Sequence, residues 1–170
     1  SERSKVTDDV RPIQSCDCYS DLPLDDAHGP YPLILFVHGT ASWRTQSLSL
    51  MEHWASRGFV VASADHPGLW LSDILAGVCG LPSSGSQDLI GDLETVLAGF
   101  AGDDSSLDFV REWNDLDRVA VIGHSAGGNA ATSAAELPGV KVVASMAGSG
   151  APNTPDVDAA LFLGGMSDTV

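Results

Sequence analysis

Val119-Ala-Val-Ile-Gly-His-Ser-Ala-Gly-Gly128 decides the fold, because it joins a short apolar run directly to a glycine-rich turn. The run Arg118–Ile122 predicts a buried strand, and a helix is expected to begin at Ala126. The motif Gly123-x-Ser125-x-Gly127 therefore lies between a strand and a helix. Such a sharp turn exposes the serine hydroxyl, and its glycines bend without side-chain clashes. The stretch predicts that Ser125 is a nucleophile. The alternative, a structural turn that contains a serine, is disfavoured by the strand and helix on either side.

Strands and helices alternate along the rest of the chain. Short apolar runs predict further strands at Leu33–Val37, Phe59–Ala64, Val140–Ala147 and Leu161–Leu163. Apolar residues at helical spacing predict helices over 46–57, 86–100, 105–113 and 130–137, with a loop or short helix over 69–85. This alternation predicts an α/β fold with a mostly parallel sheet and helices on both faces. Ligands of such sheets bind at the carboxyl ends of the strands, where the Ser125 turn lies.

Composition sets the domain organisation and excludes some partners. Residues 1–30 are polar, and we interpret them as an N-terminal arm with at most one edge strand, while residues 31–170 form the predicted catalytic domain. A net charge of −15 repels phosphate backbones, which disfavours a nucleic-acid partner. No apolar run approaches the roughly 20 residues of a membrane-spanning helix, so we expect no membrane span.

Three cysteines, Cys16, Cys18 and Cys79, limit the redox chemistry. They allow at most one internal disulfide, and a bridge from Cys16 or Cys18 to Cys79 is weighed equally against a fully reduced set. Two cysteines alone are too few for a metal site, and we predict neither a metal nor a cofactor. The chain begins at Ser1 without an apolar leader, as it would after removal of a signal peptide or trimming. We expect an exported protein, secreted or periplasmic, with a cytoplasmic location as the alternative.

Three segments together resemble the α/β-hydrolase family. Val119–Gly128 looks like the family's nucleophile elbow, and Phe36–Thr40 looks like its oxyanion loop. Phe59–Ala62 with Asp65–Gly68 resembles the strand and loop that follow. The likeness covers about residues 30–170 and is closest to dienelactone-hydrolase-like, platelet-activating-factor-acetylhydrolase-like and cutinase-like esterases. It implies that this chain has an α/β-hydrolase fold without the C-terminal strand and helix that the family has.

The resemblance implies a role for each candidate site residue. Ser125 would attack an ester carbonyl, and Asp168, in the loop after the last predicted strand, would orient a histidine. A loop aspartate without a catalytic role is the alternative for Asp168. The N–H of Ala126 and that of Thr40, or alternatively of Ala41, would bind the oxyanion.

The resemblance does not supply a catalytic histidine within this chain. In the family the histidine follows the acid. Here all the histidines precede Ser125: His28, His38, His53, His66 and His124. By resemblance His38 and His124 are structural, His66 lies where the family has no base, and the other two are surface residues. A further crossover and strand need about a dozen residues, and two follow Asp168. We therefore expect a histidine from beyond Val170 or from a second polypeptide.

Two tryptophans follow the loops at the predicted site. Trp43 and Trp70 are candidates for lining an apolar substrate pocket, with ordinary packing as the alternative. Polyester hydrolases of this branch usually carry a tryptophan just after the strand that follows the elbow helix, where this chain reads Ala147-Gly-Ser-Gly-Ala-Pro152, which weakens a polyester-specific interpretation. We predict a carboxylic-ester hydrolase that acts on a small-molecule or lipid ester through an acyl-enzyme on Ser125. An acyltransferase and an inactive binding protein of the same fold are the alternatives.

Overall fold

The structure, a computed structural model, describes residues 16–19, 22–152 and 156–166. Its strands are β1 (Tyr31–Val37), β2 (Val60–Ser63), β3 (Asn114–His124), β4 (Val140–Met146) and β5 (Ala159–Leu163). Its α-helices are α1 (Leu48–Ala55), α2 (Leu71–Val78), α3 (Leu89–Ala98), α4 (Asp108–Arg111) and α5 (Ala126–Ser133). Shorter turns of π or 3₁₀ type cover Gly99–Asp103, Ser105–Leu107 and Ala134–Glu136.

All five strands are parallel and form one sheet in the order β2-β1-β3-β4-β5. In register, Val37 of β1 lies beside Gly123 of β3, which lies beside Ser145 of β4. The carboxyl ends of the three central strands therefore meet at one edge, with the Ser125 turn among them. This arrangement confirms the predicted α/β sheet and all five predicted strands.

Side chains of β1 alternate between two covered faces of the sheet. Leu33, Leu35 and Val37 belong to a buried cluster that includes residues of α3 and α5. On the opposite face the ring of Phe36 contacts Trp54 of α1, with ring centroids 6.3 Å apart. Helices therefore pack on both faces, as the sequence predicts, and burial on both sides explains why the run Leu33–Val37 is apolar without alternation.

Strand β5 forms one edge of the sheet, and β2 forms the other. All five residues of β5 are exposed, and within the described part of the chain no strand pairs with its outer side. Its Leu163 carbonyl accepts a hydrogen bond from the N–H of Ala147 at 2.7 Å. The chain therefore leaves β5 at the carboxyl ends of the strands, where Ser125 also lies.

Helix α5 begins at Ala126, as the turn motif predicts, and gives way to a 3₁₀ turn at Ala134, within the run of helix formers at 130–137. Its first turn contains Gly127 and Gly128, which are poor helix formers, so helix propensity alone would indicate a later start. Residues 71–78 form a helix within the segment predicted as a loop or short helix.

The cysteine expectation is wrong in its pairing. A disulfide joins Cys16 to Cys18, and Cys79 is free and exposed. Cys79 follows the last residue of α2, whereas the N–H of Asp17 donates to Glu52 of α1 and holds the Cys16–Cys18 turn there. The described residues of the arm, 16–19 and 22–30, contain no strand. None of the helices within the described ranges has the length and apolar character needed to cross a bilayer.

Candidate active site

Ser125 occupies a strained turn between β3 and α5. Its φ and ψ are 55° and −118°, a conformation that L-residues adopt at a cost of about 1–3 kcal/mol. The N–H of Ser125 donates to the carbonyl of Met146 at 2.8 Å, which fastens the turn to the end of β4. The residue is half-buried, so its side chain reaches the surface at the carboxyl edge of the sheet.

Close backbone contacts explain the glycines on either side of Ser125. A Cβ on Gly123 would lie 2.0 Å from the carbonyl oxygen of Gly127. A Cβ on Gly127 would lie 2.2 Å from the carbonyl oxygen of Val37. No side chain fits at either position, because Gly123 packs against the first turn of α5 and Gly127 packs against the end of β1.

Two backbone N–H groups beside Ser125 have no acceptor among the described residues. One belongs to Ala126, the first residue of α5, where an N–H has no partner within the helix. The other belongs to Thr40, which is exposed in the loop after β1. The N–H of Ala41, the alternative to Thr40, already donates to the carbonyl of Leu69 at 2.9 Å. Of these two candidates, Thr40 therefore has the available donor.

Residues 38–42, which hold the predicted oxyanion donors and are called the oxyanion loop below, lie directly against the turn that carries Ser125. A Cβ on Gly39 would be 3.3 Å from the Cβ of Ser125 and 2.9 Å from Nδ1 of His124. The N–H of Gly39 donates to the side-chain oxygen of Gln46 at 2.8 Å. Gln46 is not predictable from the sequence, because an amide side chain ahead of a helix carries no motif that points to a backbone seven residues away.

The loop after β2 also fastens the oxyanion loop. The N–H of Leu71 donates to the carbonyl of Ser42 at 2.8 Å, and Ser42 forms an isolated parallel bridge with Trp70. Just beyond the loop, the N–H and guanidinium of Arg44 both donate to the carboxylate of Asp65. Residues 65–71 thus act as the support of the oxyanion loop.

Two buried histidines connect these loops. His38 and His66 are 0% and 1% exposed, and their ring centroids are 5.2 Å apart. Burial lowers the pKa of His38 below its usual value, although the hydrogen bond to the Gly39 carbonyl opposes this effect. His66 Nδ1 lies 2.8 Å from Oδ2 of Asp92 on α3, a hydrogen-bond partner that the sequence does not predict. The chain separation of 26 residues leaves no local pattern from which to predict that pair.

The other three histidines lie elsewhere. His124 has a buried Nδ1 without a hydrogen-bond partner among the described residues, on the side of Gly39. His28 and His53 are exposed, as predicted, and His28 pairs with Asp25 in the arm. None of the described histidine side chains forms a hydrogen bond with the Ser125 hydroxyl, so none is identified as its base.

Trp70 connects the support loop to a buried carboxylate. Asp73, 7% exposed, accepts hydrogen bonds from the N–H of Gly68 and from both the N–H and hydroxyl of Ser84. Burial would raise the pKa of Asp73, but these bonds and one from the Trp70 side chain outweigh burial and lower it to about 2. The indole of Trp70 is thus engaged in the scaffold, and Trp43 is half-buried beside the oxyanion loop.

Asp168, the predicted triad acid, lies outside the described residues. The chain is described as far as Met166, which follows β5 on the edge that carries Ser125. One group of potential metal ligands is present in the described part: Cys16, Cys18 and Glu52. The Cys16–Cys18 disulfide occupies both sulfurs, which leaves a single carboxylate.

The parallel sheet and the strand–turn–helix at Ser125 define a class of protein, the hydrolases built on an α/β sheet. The sequence model described as "alpha/beta hydrolase fold" matches residues 32–168. The chain belongs to the α/β-hydrolase fold family. No curated protein matches the sequence.

Two solved structures share the fold and are longer than this chain. A ferulic acid esterase from Streptomyces cinnamoneus is 26% identical with a TM-score of 0.55, over 79% of this chain and 42% of the esterase. A 2,6-dihydroxy-pseudo-oxynicotine hydrolase is 22% identical with a TM-score of 0.54, over 72% of this chain and 31% of the hydrolase. This chain therefore spans less than half the length of either protein.

Proposed function

We propose that this chain carries the nucleophile and the oxyanion donors of a serine hydrolase that cleaves carboxylic esters. The observation that carries the proposal is the conformation of Ser125, with φ 55° and ψ −118°, beside two N–H groups that have no acceptor in the part of the chain that the structure describes. A strained serine at the start of a helix has no structural benefit that a glycine would not provide. A serine in this strained conformation is consistent with a hydroxyl that must be presented to a substrate.

The reaction follows from the chemistry of these groups. Ser125 Oγ attacks the ester carbonyl and loses its proton to a histidine, and the N–H groups of Ala126 and Thr40 stabilise the negative oxygen that develops. The alcohol leaves, and water then releases the acid from the acyl-enzyme. The histidine comes from beyond Val170 or from a second polypeptide, and Asp168 orients it.

The substrate class is a carboxylic ester, whether a small molecule or a lipid. The 26% identity to a ferulic acid esterase supports ester chemistry over other hydrolase reactions. Trp43 and Trp70 flank the loops beside Ser125, and we propose that they border the acyl or alcohol side of the site. We also propose an exported protein that needs neither metal nor cofactor, without a nucleic-acid partner.

The test is intact-mass spectrometry with a fluorophosphonate probe, in the presence and absence of imidazole. Because imidazole in solution can replace a missing histidine as the base, we expect it to accelerate a single covalent adduct. The adduct should be absent in Ser125→Ala and present in Ser72→Ala, which changes an exposed serine on α2.

Turnover distinguishes the alternatives. A p-nitrophenyl ester with imidazole should release one equivalent of nitrophenol per chain above the Ser125→Ala background, followed by slower hydrolysis. Transfer of the acyl group to an added alcohol in preference to water would identify an acyltransferase. An unmodified Ser125 under all conditions, also in the presence of a supplied base, would contradict the proposal and favour an inactive binding protein.

A further inference from the structure

A line of polar groups runs from the partly exposed Asp92 of helix α3, through two buried histidines, to the oxyanion loop. Oδ2 of Asp92 lies 2.8 Å from Nδ1 of His66. The backbone N–H of His66 donates to Nε2 of His38 at 3.2 Å. Nδ1 of His38 lies 2.8 Å from the carbonyl oxygen of Gly39. We name these four residues the polar relay.

The partners in the polar relay fix the protonation state of His38. A backbone N–H can act only as a donor, so Nε2 of His38 must be an unprotonated acceptor. A carbonyl can act only as an acceptor, so Nδ1 of His38 must carry the proton that bonds to Gly39. His38 is therefore neutral and in a single tautomer. In the same way Asp92, as a carboxylate, accepts the Nδ1 proton of His66.

The polar relay ends on the peptide that carries the proposed oxyanion donor. The carbonyl of Gly39 and the N–H of Thr40 belong to one planar peptide unit and point in opposite directions. His38 Nδ1–H and the N–H of Ser42, at 3.2 Å, both donate to that carbonyl. Holding the carbonyl toward the interior directs the N–H of Thr40 away from it, on the loop that contacts Ser125.

We propose that Asp92 and His66 are positioning residues for the oxyanion loop, acting through His38 on the Gly39–Thr40 peptide. His66 is 1% exposed and its Nε2 has no partner among the described residues, so its Nδ1 contact with Asp92 is the polar contact that orients the ring. Anchoring the side chain in turn restrains the backbone of His66, whose N–H reaches His38. This inference rests on the proposed function, because the direction of the Thr40 N–H matters to catalysis only if it binds an oxyanion.

The first measurement is a long-range proton–nitrogen NMR spectrum of the histidine rings in the unmodified chain. We expect His38 in the Nδ1-protonated neutral form. An Nε2-protonated or rapidly exchanging His38 ring would overturn the proposal. This measurement needs no substitution, so it remains decisive if a variant does not fold.

The second measurement is amide hydrogen exchange in three variants. Asp92→Ala should raise exchange at Gly39 and Ala41 by about tenfold more than at Val121 in β3, and should change the His38 tautomer. Asp92→Asn keeps an oxygen that accepts the His66 proton and should restore both signals. Asp88→Ala removes the side-chain cap of the same helix at Gly91 and should leave the oxyanion loop unchanged.

The outcomes separate this inference from the proposed function. Equal effects of Asp88→Ala and Asp92→Ala would mean that the loop responds to helix stability alone, which would overturn the positioning role. Failure of Asp92→Asn to restore the loop would do the same. A loop that responds as expected, with Ser125 inert to the probe, would support the relay as a device that shapes the loop and would reject the ester-hydrolase proposal.

Discussion

The N–H of Ala41 donates to the carbonyl of Leu69, and this bond joins the loop after β1 to the loop after β2. It is made with Ala41 at a φ of 56°, in the left-handed region. One consequence is that Ala41 cannot offer its N–H to a substrate while the bond is intact. The loop therefore presents the neighbouring N–H of Thr40 instead.

The strain at Ala41 predicts an unusual response to glycine. Ala41→Gly should leave the free energy of unfolding unchanged or raise it by about 1 kcal/mol, because glycine adopts a positive φ without a Cβ penalty. Ala98→Gly, at the end of α3, should lower it by about 1 kcal/mol. Urea unfolding of both variants is the measurement. Equal losses in the two variants would contradict the strained conformation.

The contact of Gly127 with β1 predicts a severe effect of one methyl group. Gly127→Ala should lower the free energy of unfolding by about 3 kcal/mol or prevent folding, because its Cβ would meet the Val37 carbonyl at 2.2 Å. Gly77→Ala is the matched control, since nothing lies within 4 Å of its Cβ in α2. The control should gain up to about 1 kcal/mol from helix propensity. Thermal unfolding of both proteins gives the comparison, and similar melting temperatures would refute the steric argument.

Asp73 predicts an acid-sensitive scaffold. Its pKa is lowered from 3.8 to about 2, so its ionised form stabilises the fold above pH 3.8. That stabilisation should decrease as the pH falls from about 4 to about 2. Asp73→Asn should remove this part of the pH dependence, whereas Asp26→Asn in the exposed arm should keep it. Denaturant unfolding at several pH values between 2 and 5 is the experiment.

His38 predicts a second pH dependence, nearer neutrality. Because burial lowers its pKa, the folded protein favours the neutral ring, and an unfolded histidine titrates near 6.5. The folded chain then binds fewer protons than the unfolded chain, so stability should decline as the pH falls below about 6.5. His38→Asn should have a weaker decline than the parent, and His53→Asn, on the surface, should match the parent. Identical pH profiles for the parent and His38→Asn would contradict the assignment.

The sequence predicts the sheet well because its evidence is local. Five apolar runs and a Gly-x-Ser-x-Gly turn are each contained within a few residues, and the structure confirms their order. The start of α5 at Ala126 is predicted by the turn motif and not by helix propensity, because the glycines that permit the turn are poor helix formers. Propensity and tertiary packing conflict at Gly127, and packing prevails.

The support of the site depends on contacts that no local pattern reveals. The Asp92–His66 pair joins a helix to a loop, and Gln46 reaches back to the backbone of Gly39. The chain has many aspartates, and nothing in the sequence distinguishes Asp92 from the others as the partner of His66. The pairing is apparent only in the folded structure. The expected bridge to Cys79 is wrong for a related reason, since a cysteine count limits the pairing but carries no geometry.

The packing of Gly127 against Val37 also has a kinetic consequence. The two residues belong to segments that are far apart in the chain. Strands β1 and β3 must pair in parallel before the turn at Ser125 can pack against the end of β1. Loop closure of that length makes this pairing a slow event during folding. The strained conformation of Ser125 is therefore expected to arise late, after the central strands have assembled. A nascent or misfolded chain would then contain the serine without the backbone conformation that presents it in the folded protein.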